Sequence, residues 1–382
     1  MEFSAWIGTD KGALKGVDVS KAQFRNCGPK QELDTRKEIR SLQWNNELET
    51  ELLLGQRDGI VIKFIVEKDA FEIVSDTSSV FAREDDFMAG ALWISKEDLL
   101  LTCTTSGRLL IKNIREGSIV GDVHVGSHVA CLCQNFGEHC QVAVGGHEND
   151  LKVYNVRHLE SNFKPFFQAK NVRNDFVDLR VPISVTVTAF FPSSSDQPKL
   201  IAGTADSHVR LYDTRSQRRP VLSTKHGEAA ITALDILSNG VAVIVGTAHG
   251  TMSNLDLRKS LACSGSFKGA AGSITDIKSS GSYITSCGLD RHFRIHHIDM
   301  QKPLRKVYIK QQASRIVLSS HFIQSLSSKP HVNPDTGIHS NKQREVAVSA
   351  NELGAQTLDA IWQTMDVVSE PSCKKPRLLK KL

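Results

Sequence analysis

The stretch AKNVRNDFVDLRVPI, residues 169–183, sets Arg173, Arg180 and Lys170 around Asp175, Asp178, Asn174 and the aromatic ring of Phe176. A guanidinium fork can take a carboxylate or a phosphate through two parallel hydrogen bonds, and arginine beside an exposed aromatic is enriched at the energetic centres of interfaces. The chemistry on offer is recognition. Further along, Gln217-Arg218-Arg219-Pro220 supplies a second basic pair, and the terminal KKPRLLKK adds Lys374, Lys375, Arg377, Lys380 and Lys381. Catalysis finds no comparable foothold. GTDKGALK (8–15) spaces its glycines too closely for a phosphate loop and lacks the Lys-Ser/Thr ending, and HEND (147–150) has no second histidine at the zincin offset. His292 and His296-His297 occupy strand or turn positions and need no ligand to explain them. The reading is a non-enzyme with no catalytic residue, no metal and no cofactor.

A segment such as 169–183 must be held by something else, because it alternates too poorly for a strand, and Asn171, Asn174 and Pro182 argue against a helix. A repeated phrase surrounds it. LIAGTADSHVRLYDTR (200–215) consists of an apolar run, a small residue, a polar turn and an alternating segment. The phrase recurs from Trp6, Leu53, Leu101, Val142, Val243 and Ile284. Anchored on the small residue (Gly8, Gly55, Cys103, Gly145, Gly203, Gly246, Cys287), the intervals are 47, 48, 42, 58, 43 and 41 residues. Repeats of about 40–45 residues carrying four strands each mark a WD40-type β-propeller. Each phrase supplies the middle of one blade, and Gly or Cys fits where neighbouring blades press together near the channel. Period-two segments upstream, such as ISVTVTAFF (183–191), AITALDIL (230–237) and SITDIKSS (273–280), supply a further strand. The expected fold is all-β, a seven-bladed propeller over residues 1–322, with a flexible basic tail over 323–382.

The first phrase begins at residue 6 and lacks the strand that should precede it, whereas ASRIVLSSHF (313–322) has no phrase after it. These two segments are expected to pair and close the ring. The net charge of +5 is concentrated in the last 13 residues, where five cations stand against Glu370 alone, so everything before them balances to +1. This excludes a whole-body electrostatic grip on nucleic acid and leaves local basic patches open. Eight cysteines without a C-x-x-C pair read as buried free thiols, and no apolar run approaches membrane-spanning length. In the tail, residues 344–368 carry Leu358, Ile361, Trp362 and Met365 at helical spacing, either as an amphipathic helix for a partner groove or as a frayed segment. KKPRLLKK reads as a nuclear localisation signal, with a nucleic-acid patch or a plain solvated tail as the alternatives.

The phrase never ends in the Trp-Asp dipeptide of WD repeats; Tyr212-Asp213 comes closest. Several segments nevertheless resemble, in order and spacing, the WD-repeat assembly factors of the large (60S) ribosomal subunit precursor: AKNVRNDFVDLRVPI, SQRRPVL, VIVGTAHG, KGAAGSI, SCGLDRHFRIHHI and RKVYIKQ. The resemblance implies a nucleolar, non-enzymatic factor that rides on early large-subunit precursors during rRNA processing. Its implied partners are pre-ribosomal large-subunit proteins and rRNA, an AAA-type ATPase that strips it off, and the RNA helicase of the nuclear exosome. It would act as a single copy within a larger particle, away from membranes. A different reading comes from Asn155-Val156-Arg157, Asp213-Thr214-Arg215 and Asp256-Leu257-Arg258, which resemble the box that substrate receptors use toward cullin-type ubiquitin ligases.

The 58-residue interval exceeds the usual period by about 15 and contains residues 160–183, which places AKNVRNDFVDLRVPI on a loop at one face of the propeller. Two readings of that loop stand. In one, Arg173, Asp175, Asp178 and Arg180 pair among themselves and tie the loop down. In the other, Arg173, Asn174, Asp175, Phe176, Asp178 and Arg180, together with Arg218 and Arg219, meet a partner.

Overall fold

Seven four-stranded antiparallel sheets surround a central channel. The structure, a computed structural model, describes residues 3–327 apart from 30–32, 79–80, 82–85, 96, 136–139, 159–163, 176 and 193–196. The tail features at 344–368 and 374–381, including Lys374, Lys375, Arg377, Lys380 and Lys381, lie outside the described residues. The repeated phrase forms the second and third strands of every blade, as in blade five, where Lys199–Thr204 pairs with His208–Asp213. The second strands of blades three to six (Leu99–Thr104, Gln141–Gly146, Lys199–Thr204 and Ala242–Thr247) are buried along their whole length. A strand covered by a blade on each side carries no polar face, hence the unbroken apolar runs of the phrase.

No single core exists. Among the described residues, seven apolar clusters each lie between two successive blades. The anchor glycines explain how closely the blades approach. A Cβ on Gly203 would fall 2.5 Å from Cγ2 of Ile231 at the start of blade six, and one on Gly8 would fall 2.7 Å from Cγ2 of Ile39 at the start of blade two. The innermost strand of each blade bulges after its first residue, as between Val185 and Val187 and between Ile231 and Ala233. In blades five to seven the bulged residue is a threonine that bonds to the following blade. Thr186 Oγ1 donates to Ile231 O (2.5 Å), Thr232 Oγ1 to Ile274 O (2.6 Å) and Thr275 Oγ1 to Ala313 O (2.7 Å). The channel these strands enclose holds a cavity of about 210 Å³, with Arg40, Lys278, Arg315 and Asp276 among its lining.

The ring closes as the sequence predicts. Ala313–Leu318 pairs antiparallel with Ala5–Thr9, so the last strand of the propeller becomes the innermost strand of blade one. A short helix not anticipated from the sequence, Phe322–Ser327, follows and buries Phe322 completely among residues of blades seven and one. The seven described cysteines are free thiols; Cys263 is exposed, contrary to the expectation of burial, whereas burial raises Cys27 and Cys131 to about 12, which suits packing and not nucleophilic attack.

Burial pulls the pKa of His208, His226 and His296 below 6.5. A histidine held neutral in the fold takes up a proton on unfolding, so the unfolded state binds more protons once pH drops below 6.5, and stability falls with it. The urea midpoint should therefore be lower at about pH 5.5 than at about pH 7.5, and His296→Gln should flatten the dependence. A midpoint unchanged across that window would refute the assignment.

Candidate functional site

Blade four ends in a two-residue outer strand, Phe167–Gln168, and blade five begins at Val185. The intervening chain is the surplus noted in the repeat spacing. Its root is buried: Phe167, Ala169 and Val185 belong to the apolar cluster shared by blades four and five, with Tyr212. The Ala169 N–H continues the sheet by donating to Leu151 O at 2.8 Å.

The second basic pair meets the loop here. The Lys170 N–H donates to Arg218 O (2.8 Å), Arg218 Nε to Gln168 O (2.8 Å) and Arg219 Nε to Asn171 O (3.2 Å). The Arg218-Arg219 turn of blade five thus clamps the first residues of the loop. Asn171 Nδ2 donates across to Val181 O at 2.6 Å and pins the two arms together.

At the tip the exposed carboxylates bond to the loop itself. Asp175 Oδ1 accepts from the N–H groups of Val177 (3.0 Å) and Leu179 (2.8 Å), and Asn174 Nδ2 donates to the Asp178 carboxylate at 2.9 Å. Asp178 takes a left-handed backbone, φ 63°, which Asp tolerates better than most residues because its short side chain bonds locally. These acids shape the tip, and among the described residues no ion pair joins them to the loop's own arginines. Arg180 reaches out of the loop to Glu148 Oε2 (2.7 Å), in the turn between the second and third strands of blade four. Glu148 N–H also donates to Ile183 O at 2.7 Å, so the departing arm is bound to the same turn. Beneath it, Asp150 is pushed up by burial while Lys152, Arg180 and Arg210 hold it down.

Beside the exposed Asn174, Asp175 and Asp178, the braced loop presents to solvent Arg173 and Arg180 together with Val177 (56% exposed) and Leu179 (64% exposed). The two apolar residues were legible only as isolated hydrophobics among charges, and Glu148 carried no sequence signal as a loop anchor. Phe176 lies outside the described residues. Charged forks beside exposed aliphatic groups, on a loop that has little conformational entropy left to lose, form a surface suited to a macromolecular partner.

The [Asp/Asn]-x-Arg endings have a local cause. Asn155, Asp213 and Asp256 each accept a hydrogen bond from the N–H of the arginine two residues on, at 3.0, 2.9 and 2.9 Å, and Asn113 does the same for Arg115 at 3.0 Å. The pattern closes the turn after the third strand of a blade.

No family model matches the chain. WD repeat-containing protein 74 of Bos taurus and that of Homo sapiens are each 36% identical to it over 322 residues, which cover 82% of this chain and 80% of the relative. Ribosome biogenesis protein nsa1 of Schizosaccharomyces pombe is 26% identical over 259 residues, 62% of either chain.

Proposed function

Because the chain belongs to the WD-repeat family of large-subunit ribosome assembly factors that includes WD repeat-containing protein 74 and the Nsa1 proteins, we propose that it docks on large-subunit precursors through residues 169–183 and the Arg218-Arg219 turn. Its role is one of assembly, without catalysis of its own. The observation that carries the docking reading is the loop itself. Hydrogen bonds from blades four and five hold it in one shape, yet Arg173, Arg180, Val177 and Leu179 remain exposed. A loop braced only for stability would turn those apolar groups inward.

In this reading the protein acts in the nucleolus on early precursors during rRNA processing, with the basic cluster at 374–381 as its nuclear address. An AAA-type ATPase strips it from the particle, and the exosome-associated RNA helicase works alongside it. The likeness to ribosome biogenesis proteins supports the nucleolar assignment, and the propeller supplies the rigid body that an ATPase would pull on.

The double variant Arg173→Glu/Arg180→Glu tests the docking loop. Both side chains are exposed, and loss of the Arg180–Glu148 pair removes only ~0–1 kcal/mol. The melting temperature should therefore stay within a few degrees of the wild type, while co-sedimentation with large-subunit precursors is lost. A variant that still travels with the precursors overturns the proposal.

A further inference from the structure

On the side of the ring where it closes, blade seven carries an excess of positive charge that the chain as a whole conceals. Between residues 290 and 315, over blade seven and the closing strand of blade one, stand seven cations (Arg291, Arg294, Lys302, Arg305, Lys306, Lys310, Arg315) against two acids, Asp290 and Asp299. Three have structural duties: Arg294 pairs with Asp290, Arg305 donates to Val19 O and Ser20 O, and Arg315 donates to Arg40 O. Arg291, Lys306 and Lys310 are exposed and form no ion pair among the described residues.

Two of the remaining features converge at the seam with blade one. Lys15 is 2% exposed, and its Nζ lies 4.6 Å from the centroid of the Phe24 ring; Lys310 Nζ lies 5.9 Å from the same ring. Among the described residues, the only hydrogen bond of the Lys15 ammonium goes to a neutral group, Asn26 Oδ1, at 2.9 Å. Burial, and then the neighbouring Lys310, draw the Lys15 pKa below the usual lysine value, a shift that an anion would reverse. Lys310 is held in place at a cost. It is the middle residue of a three-residue turn closed by Gln311 N–H to Ile309 O (2.8 Å), with φ 66°, the rarer and strained form of such a turn. Two residues before it, the Tyr308 ring lies tilted against His292 (5.1 Å between centroids, 49° between planes), and the residue is 51% exposed. The adjacent turn of blade one adds Asp10 and Lys11, whose charges cancel.

We propose that this seam binds single-stranded RNA, with the exposed Lys310 on a backbone phosphate, the buried Lys15 adding its charge from behind, and Tyr308 stacking a base. An exposed cation two residues from a half-exposed aromatic ring is what a nucleotide strand uses, phosphate and base together, whereas an acidic peptide offers nothing for the ring. The proposal extends the ribosomal reading to a second surface, and it is tested on the isolated protein, so its failure would leave docking through residues 169–183 untouched.

The experiment compares the full-length wild type with Tyr308→Ala/Lys310→Asn in binding a labelled oligouridylate across a salt series. The basic tail is present in both proteins, so its contribution cancels. Asn accepts a left-handed backbone and Tyr308 is half exposed, so the fold should survive, and Lys310→Asn alone serves as a milder second variant. The double variant should bind about tenfold more weakly. Its log affinity should fall less steeply with log salt, by about 0.7 for each phosphate no longer neutralised. Unchanged affinity and slope would overturn the proposal. Displacement of the RNA by polyglutamate as readily as by unlabelled RNA would also overturn it, marking the seam as a site for an acidic protein segment.

Discussion

Deleting residues 313–322 should abolish cooperative unfolding. The deletion removes the innermost strand of blade one, Ala313–Leu318, and with it the bonds that join blades seven and two to it. Trp44 Nε1 donates to Leu318 O at 2.8 Å, Arg315 Nε to Arg40 O at 2.7 Å, and Ile316 N–H to the Asp276 carboxylate at 2.8 Å. Because the apolar clusters lie between blades, an open ring loses interfaces on both sides of the gap and exposes the edge of Ala5–Thr9. A truncated chain that melts like the intact one refutes the closure. The geometry also predicts a rescue. Leu318 lies opposite Ala5, and Ser319 N–H donates to Ser4 O at 3.1 Å, so the end of the closing strand adjoins the start of the chain. Moving residues 311–322 in front of residue 3, with a short turn between, should restore a single transition. Within the intact chain, Phe322→Ala alone should cost about 3–5 kcal/mol, since the ring is fully buried.

Asp290→Ala should be the most damaging single polar substitution, at about 3–5 kcal/mol by urea unfolding. Asp290 lies in the turn before the third strand of blade seven. It accepts from Ala271 N–H (3.0 Å) and His292 N–H (3.2 Å) and forms an ion pair with Arg294, which is 2% exposed. Burial opposes ionisation of Asp290, but the Arg294 guanidinium and these N–H groups outweigh it and hold the carboxyl below the usual range. Without the carboxylate, Arg294 is a buried charge with no counter-ion, and its Nε already lacks a partner. The double variant Asp290→Ala/Arg294→Met should recover part of the loss, because no orphan charge is left. A loss under about 1 kcal/mol for Asp290→Ala, or a double variant worse than the single, would show that the pair is not what holds this turn.

Much of this architecture was legible before any coordinates. Every blade must press closely on its neighbour, so the residue at the contact is small in all seven phrases, glycine in five and cysteine in two. The approach of Ile231 to Gly203 shows the steric limit directly. The missing first strand and the surplus last one foretold the closure, because a sheet edge at each end of an open ring needs a partner. The long fourth interval foretold the location of the loop at 169–183.

Tertiary structure alone decided what the charged residues do. The same charged letters take different duties. Asp175 and Asp178 bond to groups within the tip, Arg218 and Arg219 clamp backbone carbonyls across a blade boundary, and Arg180 finds Glu148, 32 positions away. Lys15 and Lys310 come from opposite ends of the chain and meet only because the ring closes. Steric fit between repeats acts on residue type and recurs at a fixed period, so the seven-bladed ring and its seam can be read from the order of the residues. A charge bonds to whatever donor or acceptor the folded chain places within about 3 Å, and that neighbour leaves no periodic trace in the sequence.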